Sequence, residues 1–138
     1  MNMHKPNLVA AVRPALIIDS EQLAMLLGAV RQAARTAPEI ADYLLEEIDR
    51  ADVLPSEEVP DGVVTLGRWV TYQDMDSGSI RSIQLVLPRD ADPEHLKYSV
   101  VSPIGAALIG LSVGQVMPWS VRDGAQRHLT VLKTSLTP

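Results

Sequence analysis

The stretch from Tyr98 to Gln115, YSVVSPIGAALIGLSVGQ, most constrains what this chain can fold into. It opens as a strand: Val100 and Val101 are β-branched, and Tyr98 suits a half-buried pleated surface. Ser102-Pro103 stops the strand and starts a helix, because the serine oxygen can cap orphan N–H groups and proline fits the first helical position. The helix is the apolar run Ile104 to Ile109, and Gly110 stands where a left-handed residue closes it. Gly105, inside the helix, predicts close packing of the backbone. Val113-Gly114-Gln115 then turns the chain into a strand from Val116 to Val121. A strand, a stubby buried helix and a strand in so few residues make a core element on which the rest of the chain packs.

Upstream of it the period is helical. Residues 1–15 read as a mobile tail, and Leu16-Ile17-Ile18 as a short strand or lead-in. Asp19 or Ser20 caps a helix from about Glu21 to Arg35, with Leu23, Leu26, Leu27, Val30, Ala33 and Ala34 as its apolar stripe. After Thr36-Ala37, Pro38 opens a second helix through about Asp52, with Ile40, Leu44, Ile48 and Ala51 on one side. So short a link makes the pair an antiparallel α-hairpin, a short coiled coil over residues 19–53. Arms of about 15 residues span about 22 Å.

Residues 54–62, LPSEEVPDG, are polar and proline-rich and read as a linker to a second domain, residues 63–138. There the period becomes two. Trp69–Gln73 is a strand, Asp76-Ser77-Gly78 a hairpin turn, and Ser79–Leu87 the returning strand with Ile80, Ile83, Leu85 and Leu87 apolar. Pro88–Pro93 is a loop, Arg122–Ala125 a turn, and His128–Ser135 the last strand, with Leu129, Val131 and Lys133 on one face. The expected class is α+β: an α-hairpin, then an antiparallel sheet carrying one short helix.

Composition narrows the chemistry. The 138 residues contain no cysteine, which removes disulfides, thiolate catalysis and Cys-ligated zinc. No apolar stretch approaches the ~20 residues that span a bilayer, and Arg13 and Pro14 interrupt the N-terminal apolar run, so a cytoplasmic protein without membrane contact is expected. The net charge of −5 is uneven: residues 19–61 hold eleven acids against three arginines, and residues 62–138 six acids against seven bases. An acidic half repels phosphates, so independent nucleic-acid binding is not expected. His4, His95 and His128 are far apart with no ligand at metal spacing, and no metal or cofactor is expected. Ser102 lacks the partners of a hydrolase nucleophile and reads as a cap. Glu39 and Asp42, three apart past the hairpin turn, can share one face of the second helix and could hold a hard cation. Acids also favour a helix N-terminus through its dipole, and Arg31 and Arg35 stand just before the turn.

The run Val101–Gly110, VSPIGAALIG, followed by Gly114, resembles the C-terminal domain of the Gre transcript-cleavage factors, where S-P-x-x-x-A-L-[IL]-G precedes a G-[DQ] turn. Its Gly105-Ala106-Ala107-Leu108 variant is closer to the Rnk proteins, named as regulators of nucleoside diphosphate kinase. Val63-Val64-Thr65-Leu66 followed by Trp69-Val70 matches the start of that domain, and the likeness spans about Asp19 to Leu136. The resemblance implies an FKBP-like fold for the second domain. It also implies a non-catalytic, monomeric regulator that binds bacterial RNA polymerase at the secondary channel and competes with Gre-type factors, with Glu39, Asp42, Ser102, Pro103 and Ile104 as the partner-binding residues. In the Gre factors, tip carboxylates of a long coiled coil help hold a catalytic magnesium. Glu39 and Asp42 would do so in the alternative reading, but the arms here are much shorter. The FKBP-like fold raises prolyl isomerisation as a third reading, for which Trp69, Tyr72, Tyr98 and Trp119 are the aromatics on offer.

Overall fold

The computed structural model describes residues 13–120 and 126–138. The order of elements is β1 (Ile17–Asp19), α1 (Leu23–Ala33), α2 (Pro38–Arg50), β2 (Asp52–Leu54), β3 (Trp69–Asp74), β4 (Ile80–Val86), β5 (Lys97–Ser99), α3 (Pro103–Leu108), β6 (Val116–Ser120) and β7 (Gln126–Ser135). It is the expected mixed fold, two helices followed by a sheet.

The crossing from β5 to α3 is the tightest place in the molecule. Ser102 caps α3 as expected, its Oγ accepting from the Gly105 amide at 3.1 Å while donating to the Ser99 carbonyl at 2.7 Å. Gly105 lies so close to β5 that an added Cβ would stand 2.0 Å from the Ser99 carbonyl oxygen. Gly110 has φ +83°, the left-handed conformation that closes the helix. From there backbone bonds run three ways: the Gly110 amide donates to Val64, its carbonyl accepts from Ile17, and Leu111 accepts from Val64.

β1 and β2 pair in parallel, Ile17 opposite Asp52, with both helices as the crossover between them. The stretch read as a linker therefore begins inside a strand, and Ser56–Glu58 form a 3-10 turn. Asp19 does not cap α1. Its carboxylate accepts from the Glu21 amide and the Ser56 hydroxyl, and the helix starts later, after Gln22. Gln22 instead reaches across to Leu66, donating to its carbonyl and accepting from its amide. Of the expected tail, residues 1–12 lie outside the described residues, but Arg13–Ala15 are tied down: Arg50 donates to the Pro14 carbonyl and Gln115 to that of Ala15.

The five-stranded sheet has the order β5-β4-β3-β7-β6. It is not wholly antiparallel, since β5 joins β4 in parallel after the Pro88–Leu96 excursion. β5 also ends at Ser99, earlier than expected, because Val100 and Val101 already form the turn into Ser102. Between β3 and β7 the register shifts at Thr71 and Tyr72: Lys133 faces Thr71 and Val131 faces Tyr72, so Leu132 of β7 is unmatched. That bulge breaks the period of two, and Lys133 is exposed rather than inward. Ile80, one of the apolar positions of that strand, is 58% exposed at the hairpin end of β4. The turn expected at Arg122–Ala125 lies outside the described residues.

The hairpin and the sheet share one core. Leu26, Ala29, Val30, Ala41, Leu44 and Ile48 pack in the same cluster as Val70, Ile83, Leu85, Leu108, Met117 and Leu129. Ala34, counted in the apolar stripe, is exposed, and Leu27 is half-buried. The hairpin is therefore seated on the sheet domain and not free-standing.

Two glycines test this arrangement in opposite directions. Gly105→Ala drives a methyl group into the Ser99 carbonyl and is expected to lower stability by about 2–3 kcal/mol. Gly28→Ala, inside α1 with nothing within 4 Å of its added methyl, is expected to raise it by up to about 1 kcal/mol. Urea unfolding midpoints of the two variants measure both.

Candidate functional site

The sequence-predicted partner residues come from two elements that the fold brings to one junction. α2 lays its first turns toward α3 and β6. Between them is a cavity of 370 Å³ lined by Glu39, Ile40 and Tyr43 of α2, Pro103, Ala106 and Ala107 of α3, Pro118 and Trp119 of β6, with Arg13 and Gln126. Glu39 and Pro103 thus share one wall system. Asp42 is exposed and outside it. Ser102 is occupied as the cap of α3. Ile104 lines a second hollow with Tyr72, Tyr98, Trp119, Asp74 and Arg81. Three of the four aromatics weighed for prolyl isomerisation meet there; Trp69 does not.

The cavity has a fixed electrostatic frame. Glu47 is 1% exposed and holds two arginines: Arg13 Nη1 donates to its Oε1 at 2.6 Å, and Arg50 Nη2 to its Oε2 at 2.7 Å. Sequence reasoning missed it, because Glu47 falls beside Ile48 on the face that the apolar period assigns to the core. The signal available was the i,i+3 spacing of Glu47 and Arg50 on one helix, which allows an ion pair. Arg13 also lies over the Tyr43 ring, 5.1 Å from its centre, a cation–π contact. Its charge is therefore spent within the wall.

Two polar atoms of the same wall are buried without a hydrogen-bond partner among the described residues: the Tyr43 hydroxyl and Trp119 Nε1. Burial, and then the nearby Glu47 carboxylate, raise the Tyr43 pKa against the opposing pull of Arg13 and Arg50. Tyr43 stays a neutral hydrogen-bond donor at physiological pH. Chemically the junction is an apolar hollow with two unsatisfied donors and an exposed carboxylate, Glu39, at its rim.

Residues 59–135 match the family model described as transcription elongation factor, GreA/GreB, C-terminal. Over 129 residues the chain is 37% identical to the regulator of nucleoside diphosphate kinase of Escherichia coli, covering 91% of this chain and 93% of that protein. It is 34% identical over 88 residues to transcription elongation factor GreA of Thermotoga neapolitana, covering 64% of this chain and 56% of that one. Among solved structures, the prokaryotic transcription elongation factor GreA/GreB from Nitrosomonas europaea superposes with a TM-score of 0.63 at 30% identity, over 89% of this chain and 99% of that chain.

Glu47→Ala would leave Arg13 and Arg50 facing each other without their shared carboxylate. Breaking a buried pair by removing one partner costs about 3–5 kcal/mol; with the arginines 38% and 32% exposed, about 2 kcal/mol is expected here. Thermal or urea unfolding of the variant measures it.

Proposed function

The chain belongs to the GreA/GreB family of transcription elongation factors, and from that membership we propose a non-catalytic regulator that binds bacterial RNA polymerase near its secondary channel and competes there with Gre-type factors. The observation that carries the non-catalytic part is the position of the hairpin tip. Helices of 11 and 13 residues span about 17 and 20 Å. The residues just past the tip, Glu39, Ile40 and Tyr43, share a cavity with α3 and β6 of the same molecule. A carboxylate held over its own sheet domain is poorly placed to complete a metal site deep in a partner.

In this reading the mechanism is occupancy. Ser102, Pro103 and Ile104 dock, supported by the likeness of their run to the Gre C-terminal domain, and Pro103 and Ile104 line the two hollows on either side of Trp119. Glu39 and Asp42 form an exposed acidic rim that meets the partner. The alternative is a transcript-cleavage factor in which Glu39 and Asp42 hold magnesium. Prolyl isomerisation has in its favour only the meeting of Tyr72, Tyr98 and Trp119, and a peptide isomerisation assay tests it.

The deciding experiment is RNA release from a stalled, backtracked polymerase complex, with and without a Gre factor. The protein alone is expected to leave release at background and to raise the concentration of Gre factor needed for cleavage. Glu39→Ala with Asp42→Ala should stay at background and change binding modestly, mainly in the association rate, as rim charges do. Cleavage stimulated by the wild type alone and lost in the double variant would establish the magnesium-ligand reading instead.

A further inference from the structure

We propose that the hollow beside Ile104 receives one carboxylate carried on an apolar stem, an acidic side chain of the partner protein, and that Arg81 is the group that recognises it. Register puts the cation there. Arg81, Ile83 and Leu85 alternate onto one face of β4, and cross-strand pairing sets Ile83 against Val70 and Arg81 against Tyr72. Ile83 and Leu85 are buried in the core, whereas Arg81 on the same face is exposed. The cover over that face stops short of Arg81, and a guanidinium ends an otherwise apolar row.

Around it lies a hollow of 290 Å³ walled by the rings of Tyr72, Tyr98 and Trp119 and by Ile104. The Tyr72 hydroxyl feels both polar neighbours: burial raises its pKa, the Arg81 charge pulls it down, and Tyr98 adds to the rise. Two phenol donors and one guanidinium therefore meet over an apolar floor.

Charge selects the ligand. The acid in this wall, Asp74, is already answered. Its Oδ1 accepts from the Asp76 and Ser77 amides at 2.9 and 3.1 Å, and its Oδ2 from Arg127 at 3.2 Å. Arg81 has no ion pair among the described residues. The hollow thus offers one uncommitted positive charge, in the fork geometry that matches the two oxygens of a carboxylate. A proline ring, the ligand of the isomerase reading, brings no charge for Arg81 to answer. In the docking proposed above Ile104 meets the partner, so the carboxylate is the partner's. That identity rests on the proposed function; the chemistry of the hollow does not.

The test uses the full chain, labelled with ¹⁵N, and two probes: hydrocinnamate and its uncharged amide. Trp69 and Trp119 supply the only two indole N–H signals, and Trp69 does not line the hollow. Hydrocinnamate is expected to move the Trp119 signal, leave Trp69 in place, and bind at least about fivefold more tightly than the amide. Arg81→Gln should abolish that preference, and Arg81→Lys should keep part of it. Arg81→Gln should also weaken binding to RNA polymerase about tenfold or more, and Arg81→Lys much less. A Trp119 signal that the acid does not move, acid and amide binding alike, or a preference that survives Arg81→Gln overturns the inference. A preference lost in Arg81→Gln, with polymerase bound as tightly as by the wild type, overturns the partner's carboxylate as the occupant. No polymerase binding by the wild type overturns the function proposed above, and the probes then decide the chemistry of the hollow by themselves.

Discussion

The contact between the first turn of α3 and the carbonyl of Ser99 governs the rest of the molecule. Only a residue without a side chain fits at Gly105, and the fit lets Ser102 cap the helix and hold β5 at once. With α3 fixed there, Gly110 comes out beside Val64 and Ile17 and passes backbone bonds to both. One of those bonds leads into the sheet domain and the other into the ribbon beneath the hairpin. The orientation of the helices relative to the sheet is thus set through main-chain groups, which tolerate little displacement. Gln22 on Leu66 and Gln115 on Ala15 reinforce it from two further directions.

Against that rigid frame, the α2 face is polar where a core would be expected. Glu47 is nearly inaccessible and is paired with two half-exposed arginines, an arrangement whose net contribution to stability is small but whose disruption is costly. Its role is positional. Through Arg50 it fixes the Pro14 carbonyl, and through Arg13 it covers Tyr43. The shape of the junction cavity therefore depends on one carboxylate that touches none of its empty space.

What was legible in the sequence had local causes. The Ser102-Pro103 start, the positive φ of Gly110, the β3–β4 hairpin and the helical pair all follow from turn chemistry and short-range period. What was not legible depends on pairing between distant segments. The parallel match of Ile17 to Asp52 leaves no mark on either strand, and the unmatched Leu132 reverses the side of Lys133 by a register decided against Thr71. The candidate site divides the same way. Glu39 and Pro103 were singled out separately, but their meeting, and the enlistment of Tyr43 and Trp119, needed the hairpin to be laid back on the sheet. Residues such as Glu47 are misread because burial of a charge is licensed by partners 34 positions away.

The parallel ribbon at the foot of the hairpin separates two properties that would otherwise be linked. Its register is fixed by β1 and β2 alone, with everything from Leu23 to Arg50 inserted between them. Seven residues added to each arm would lengthen the pair by about 10 Å while returning the same apolar faces to the same sides. Placed at the tip, between Ala33 and Pro38 and so beyond the helix faces packed on the sheet, the insertion would leave the foot and the shared core unchanged. Reach is therefore a modular variable in this architecture. An engineer could graft longer arms at the tip without redesigning the base.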